Sequence, residues 1–144
     1  MPTDYLHDHP QFAHLIRIVA QEKGISPALV VEKLQTISTK FRLQQATKDR
    51  PIDFMRHYYD VYGLLQRPEV GAFIGTEAYK AHKAKRFRRA DNQNIAQNEA
   101  FILSDEATRK AYAKAYADTS ALYYDDPPTY DQILEEIAAW SARL

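Results

Sequence analysis

The chain has 144 residues, with 19 lysines and arginines against 19 aspartates and glutamates, and no cysteine. This length suits one domain burying about two-thirds of its unfolded surface, and the balanced charge gives the whole molecule no long-range field toward nucleic acid or an anionic membrane. The missing thiols exclude disulfides and thiolate zinc sites, and without a membrane-length apolar run or a basic, apolar leader around Asp4, His7 and Asp8 the expected location is cytoplasmic.

Only four glycines are present and no segment alternates with period two, so the expected class is all-α: one compact helical bundle of about five to six helices, with residues 1–144 as a single domain. His9-Pro10 opens a first helix whose stripe is Phe12, Leu15, Ile16 and Val19, closed by Gly24. Ser26-Pro27 opens a second with Val30, Leu34, Ile37 and Phe41 inward and Lys33, Lys40 and Arg42 outside. After the break at Pro51, Phe54, Tyr58, Val61 and Leu65 step by four, three and four, and Met55 and Tyr62 widen the stripe. This is the expected core helix. Arg56 and Asp60, one turn apart on its other face, fit an exposed ion pair worth a few tenths of a kcal/mol.

Arg67-Pro68 ends that helix, because the residue before proline avoids helical geometry. Gly71 and Gly75 then bracket a short connection. Thr76 is placed to cap a helix from Glu77 to about Arg89, with Ala78, Ala81, Ala84 and Phe87 expected to face inward. Asparagine-rich residues 91–98 read as a loop pinned by Ile95 and Phe101. Ser104 is the expected cap of a long helix from Asp105 to Tyr124, carrying Ala107, Ala111, Ala115, Tyr112 and Tyr116, which Asp125-Asp126-Pro127-Pro128 stops. Thr129 and Gln132 have capping-box spacing ahead of Ile133, Ile137, Trp140 and Leu144.

Chemistry-bearing patterns are few. Asp4, His7, Asp8, His9 and His14 offer metal-ligating atoms without convergent spacing, so no metal site is assigned. Lys80, Lys83, Lys85, Arg86, Arg88 and Arg89, broken by His82, form the one concentrated basic region. Such a cluster suits phosphate contacts on RNA or DNA, and equally a solvated face whose charges favour a helix carboxyl end. The tyrosines at 58, 62, 112 and 116 keep helical spacing and read as core, while Tyr123, Tyr124 and Tyr130 flank a proline turn and are better placed for base stacking. No two acidic residues stand two apart, and no glycine-rich phosphate loop, nucleophile elbow or His-Glu-x-x-His motif occurs, so no catalytic residue is assigned.

Two blocks nevertheless carry a family likeness. Asp4-Tyr5-Leu6-His7, His9-Pro10-Gln11-Phe12, Leu15-Ile16-Arg17-Ile18-Val19-Ala20 and Gly24-Ile25-Ser26-Pro27-Ala28-Leu29-Val30 resemble the amino-terminal segment of the AbiEii/AbiGii toxin family of nucleotidyltransferases. From Val31 onward, Glu32-Lys33-Leu34-Gln35-Thr36-Ile37-Ser38-Thr39-Lys40-Phe41-Arg42 and Arg56-His57-Tyr58-Tyr59-Asp60-Val61-Tyr62 are similar to that family's carboxyl-terminal helical part, which runs to residue 144. Between these blocks the family carries a sheet-and-helix catalytic core with a Gly-Gly-Thr/Ser motif and an Asp-x-Asp metal pair. This sequence instead joins the blocks at Val30-Val31-Glu32-Lys33, as an internal deletion would. The resemblance assigns Lys33 to nucleotide phosphates and Arg56 and Asp60 to the helical motif that completes the active site. Asp60 alone cannot hold two metal ions, so no cofactor is expected, and magnesium enters only if nucleotidyl transfer survives. The leading expectation is a non-catalytic helical remnant of such a toxin, acting by protein binding or self-association. The alternatives are a nucleic-acid or nucleotide-phosphate binding module and a residual nucleotidyltransferase. The partners implied are a second copy in a homodimer, a cognate antitoxin or nucleic acid, with no membrane.

Overall fold

The computed structural model describes residues 26–47, 54–123 and 125–144. The expected first helix and the amino-terminal histidines lie outside the described residues. Among the described residues there is no strand, and seven α-helices follow in order: α1 Leu29–Thr47, α2 Met55–Leu65, α3 Pro68–Phe73, α4 Glu77–Arg86, α5 Glu99–Ile102, α6 Glu106–Tyr123 and α7 Tyr130–Trp140, with a 3-10 turn at Ile95–Gln97 before α5. The all-α class holds. The short helix α3 occupies a stretch read from sequence as a connection, the 3-10 turn falls within the 91–98 loop, and α5 follows directly after that loop.

Local signals explain most of the boundaries. Arg67 is extended (φ −92°, ψ 128°) as a residue before proline must be, and Pro68 both closes α2 and opens α3. Thr76 accepts a hydrogen bond from the Tyr79 amide at 3.2 Å to begin α4. At α7 both halves of the capping box form, the Gln132 amide donating to Thr129 Oγ1 and the Thr129 amide to Gln132 Oε1. The cap of α6 is Asp105 rather than Ser104: Asp105 Oδ2 accepts from the Thr108 amide at 2.9 Å, while the Ser104 hydroxyl turns to Glu99. A carboxylate at that position also complements the helix dipole. In the 91–98 segment Asn94 and Asn98 cap the 3-10 turn and α5, and Ile95 and Phe101 are buried as expected.

α2 is the hub, touching α1, α3, α6 and α7. Tyr58 is fully buried and meets the rings of Tyr130 (centroids 5.0 Å, 75°), Tyr112 (6.4 Å, 74°) and Phe101 (6.5 Å, 65°) edge to face. These arrangements place ring edges against ring faces, as the aromatic quadrupole favours. Its hydroxyl donates to the Ala100 carbonyl at 2.7 Å, so the polar tip is satisfied inside the core. Phe54 and Phe41 extend the cluster through Tyr112.

α4 packs in a different register from the one expected. Its buried side chains are Tyr79 and Lys83, followed by Phe87 just beyond the helix, while Ala78, Ala81 and Ala84 face outward. Tyrosine and phenylalanine bury far more apolar area than alanine, and the lysine stem is apolar along its length, so 79, 83 and 87 take the inward face. The helix also stops three residues early, at Arg86, where Phe87 turns extended (ψ 136°). On the far side, α3 and α7 meet at Gly71. A Cβ there would sit 3.0 Å from the ring of Trp140, so any side chain at this position would push the indole outward.

Candidate functional site

Two of the three residues assigned by resemblance come together between α1 and α2. Lys33 Nζ of α1 lies 3.0 Å from Asp60 Oδ2 of α2, and His57, one turn before Asp60, brings Nδ1 to 3.6 Å from the same oxygen and 3.2 Å from Lys33 Nζ. The Asp60 side chain is fully buried, whereas Lys33 and His57 keep narrow exposures of 17% and 15%. Burial raises the Asp60 carboxyl above its ordinary value, against the opposing pull of His57 and Lys33.

The expected Arg56–Asp60 surface pair does not form. Arg56 is exposed and Asp60 turns inward, because α2 is enclosed on both sides and position 60 falls on the side that meets α1. His57 carried no assigned role in the sequence; its signal was its place three residues before Asp60, the spacing that sets two side chains on one helix face. Neighbouring contacts continue the polar seam. Glu32 pairs with Arg86 at 3.0 Å and approaches His82 at 3.6 Å, tying α1 to α4. Farther along α1, buried Asp91 accepts from the Thr39 hydroxyl at 2.6 Å and from Arg42 Nε at 3.1 Å.

The six basic candidates separate into three groups. Lys83 turns inward, with Nζ 5.8 Å from the ring centroids of both Tyr79 and Phe87, and donates to the Leu144 carbonyl. Burial lowers its pKa, and its position removes it from any phosphate-facing surface. Arg86 is engaged by Glu32, and Lys80 lies 3.5 Å from Glu77 in an exposed pair. Lys85, Arg88 and Arg89 stand exposed at the carboxyl end of α4 and just after it.

The zero net charge conceals a segregation along the chain. Residues 26–98 contain 13 lysines and arginines against 7 aspartates and glutamates, while residues 99–144 contain 9 acids against 4 bases. Mostly in the acidic part, α5, α7 and the start of α6, with the 3-10 turn, line an open apolar groove of 330 Å³ that includes Phe101, Leu134 and Ile137. Among the described residues no group of three or more His, Asp or Glu side chains gathers in a way that could hold a metal ion, and no helix is long and apolar enough to cross a membrane.

No curated protein and no solved structure matches the chain. A family model does: that of the nucleotidyl transferase AbiEii toxin of Type IV toxin–antitoxin systems, over residues 26–136. The matched region contains α1 through α6 and most of α7, with Lys33, Arg56 and Asp60 inside it. It takes in 111 of the 144 residues, and the chain belongs to the AbiEii family of nucleotidyl transferase toxins.

Proposed function

We propose that this chain is a non-catalytic helical module of an AbiEii-type toxin, working through protein binding or self-association. The observation that carries this reading is the state of Asp60: a buried carboxylate facing Lys33 and His57 rather than a second acidic group. Two-metal nucleotidyl transfer needs several anionic oxygens converging on divalent ions, and the donor set around Asp60 does not fit that requirement. Lys33 and Asp60 here act as an internal brace between α1 and α2. The Val30–Lys33 seam falls in the first turn of α1, where Val30 and Val31 are both fully buried, so an internally shortened chain organised as one helical domain is compatible with the packing. The toxin–antitoxin character of the family makes an antitoxin the natural counterpart, with a cytoplasmic setting.

The test is label transfer. Purified protein incubated with each of four labelled nucleoside triphosphates, magnesium or manganese, and tRNA or protein acceptors should transfer nothing above a buffer control. Transfer that disappears in Asp60→Ala would overturn the reading. A second reading, nucleic-acid or nucleotide-phosphate binding, draws support from the exposed Lys85, Arg88 and Arg89. Titration with tRNA and duplex DNA decides it, since each neutralised phosphate adds about −0.9 (duplex) or −0.7 (single strand) to the slope of log affinity against log salt. Binding absent at low salt ends that alternative.

A further inference from the structure

The groove and the outer face of α4 are complementary surfaces on one molecule. On the groove side, Ile102 is 37% exposed and Ala138 is open to solvent, while Glu135 stands on the rim and Asp131 lies one turn before it. Arg109, the basic group lining the groove, is held by Asp131 at 3.1 Å. On the α4 side, Ala78, Ala81 and Ala84 make a ridge of small exposed side chains beside the exposed Glu77–Lys80 pair, with Lys85, Arg88 and Arg89 exposed at its end. Small apolar side chains beside positive charge are the counterpart of an apolar groove that carries an exposed acid, Glu135, on its rim.

We propose that a second copy of this chain occupies the groove, seating the α4 ridge of one protomer against α5 and α7 of the next with its basic residues toward Glu135. The two surfaces differ, so the contact is heterologous and propagates head to tail instead of closing as a symmetric pair. A contact built from one short helix face and one groove is small beside stable dimer interfaces, so the assembly is weak, reversible and strongly salt-dependent. This rests on the reading of the chain as a binding module. The two fail separately, because a monomer that transfers no label removes the assembly and leaves the module.

Sedimentation velocity over a concentration series tests it with two variants built only on exposed positions. The groove variant is Glu135→Lys with Ala138→Lys; the ridge variant is Lys85→Gln with Arg88→Gln and Arg89→Gln. The wild type should show a sedimentation coefficient that rises with concentration at low salt and loses that rise in 0.5 M salt. Each variant alone should remain monomeric. An equimolar mixture should form a one-to-one dimer and stop there, because the intact basic ridge of the groove variant fits the intact groove of the ridge variant and no second contact follows. Three results would overturn the proposal: a wild type monomeric at every concentration, including one that is monomeric yet shifts on adding tRNA; either variant associating alone as the wild type does; or a mixture that stays monomeric.

Discussion

The two sides of α2 are built on different chemistry. Toward α6 and α7, Tyr58 packs edge to face on Tyr112 and Tyr130, Phe54 packs edge to face on Tyr112, and the Tyr58 hydroxyl ends on a backbone carbonyl. Toward α1, a buried carboxylate meets a lysine and a histidine. The aromatic side gains from every apolar atom removed from water. The ionic side gains only what remains after the desolvation of Asp60, and charge pairs of this kind are often no better than apolar side chains of similar shape. Apolar packing and buried charge therefore sit on different sides of α2: the aromatic side holds the bundle together, and the ionic side sets Asp60 against Lys33 of α1.

Mutations that attack each face should respond differently. Tyr58→Ala should have the largest effect, about 4 kcal/mol lost in denaturant unfolding, because it opens a cavity at the meeting point of several rings and orphans the Ala100 carbonyl. A loss below about 1 kcal/mol would move the centre of the core elsewhere. Lys33→Met should cost about 3 kcal/mol by leaving Asp60 buried without its cation, while the Lys33→Met, Asp60→Leu double variant should recover most of that loss. A double variant as unstable as the single one would show that the pair stabilises the bundle outright.

The smallest effect concerns pH. Burial holds the Asp60 carboxyl above its unfolded value, so its contribution to stability is complete below the unfolded value near about 3.9 and is lost as pH rises through the folded one. The unfolding free energy of wild type minus that of Asp60→Asn should therefore be most favourable to the wild type at the acid end and decline toward neutrality. A difference that is flat from pH 4 to 7, or that grows with pH, would place Asp60 as a fully ionised partner of Lys33.

Much of the scaffold was legible because its signals are local. The three-and-four spacing of Phe54, Tyr58, Val61 and Leu65, the proline after Arg67, the Thr76 cap and the Thr129–Gln132 box each depend on residues within one or two turns. The face of α4 was not legible: alanine favours helix without choosing a side, and Lys83 in the middle of the buried set interrupts the apolar pattern that Tyr79 and Phe87 would otherwise show. Nor was the direction of Asp60. An aspartate one turn from an arginine reads as a surface pair unless a helix is enclosed on both sides, and that enclosure is a property of α1, α6 and α7 rather than of α2 itself. The segregation of charge was visible in the sequence all along, yet its meaning depended on where the fold places the groove.

The close approach of Gly71 to Trp140 has a practical consequence. This is the molecule's one tryptophan, half-buried where α3 and α7 touch, with its indole nitrogen donating to Glu136 at 3.1 Å and the Arg143 guanidinium 5.0 Å above its ring. Its fluorescence is thus a single-site optical gauge of whether the last helix is seated, and comparing it with far-ultraviolet circular dichroism during unfolding separates undocking of that helix from melting of the whole bundle.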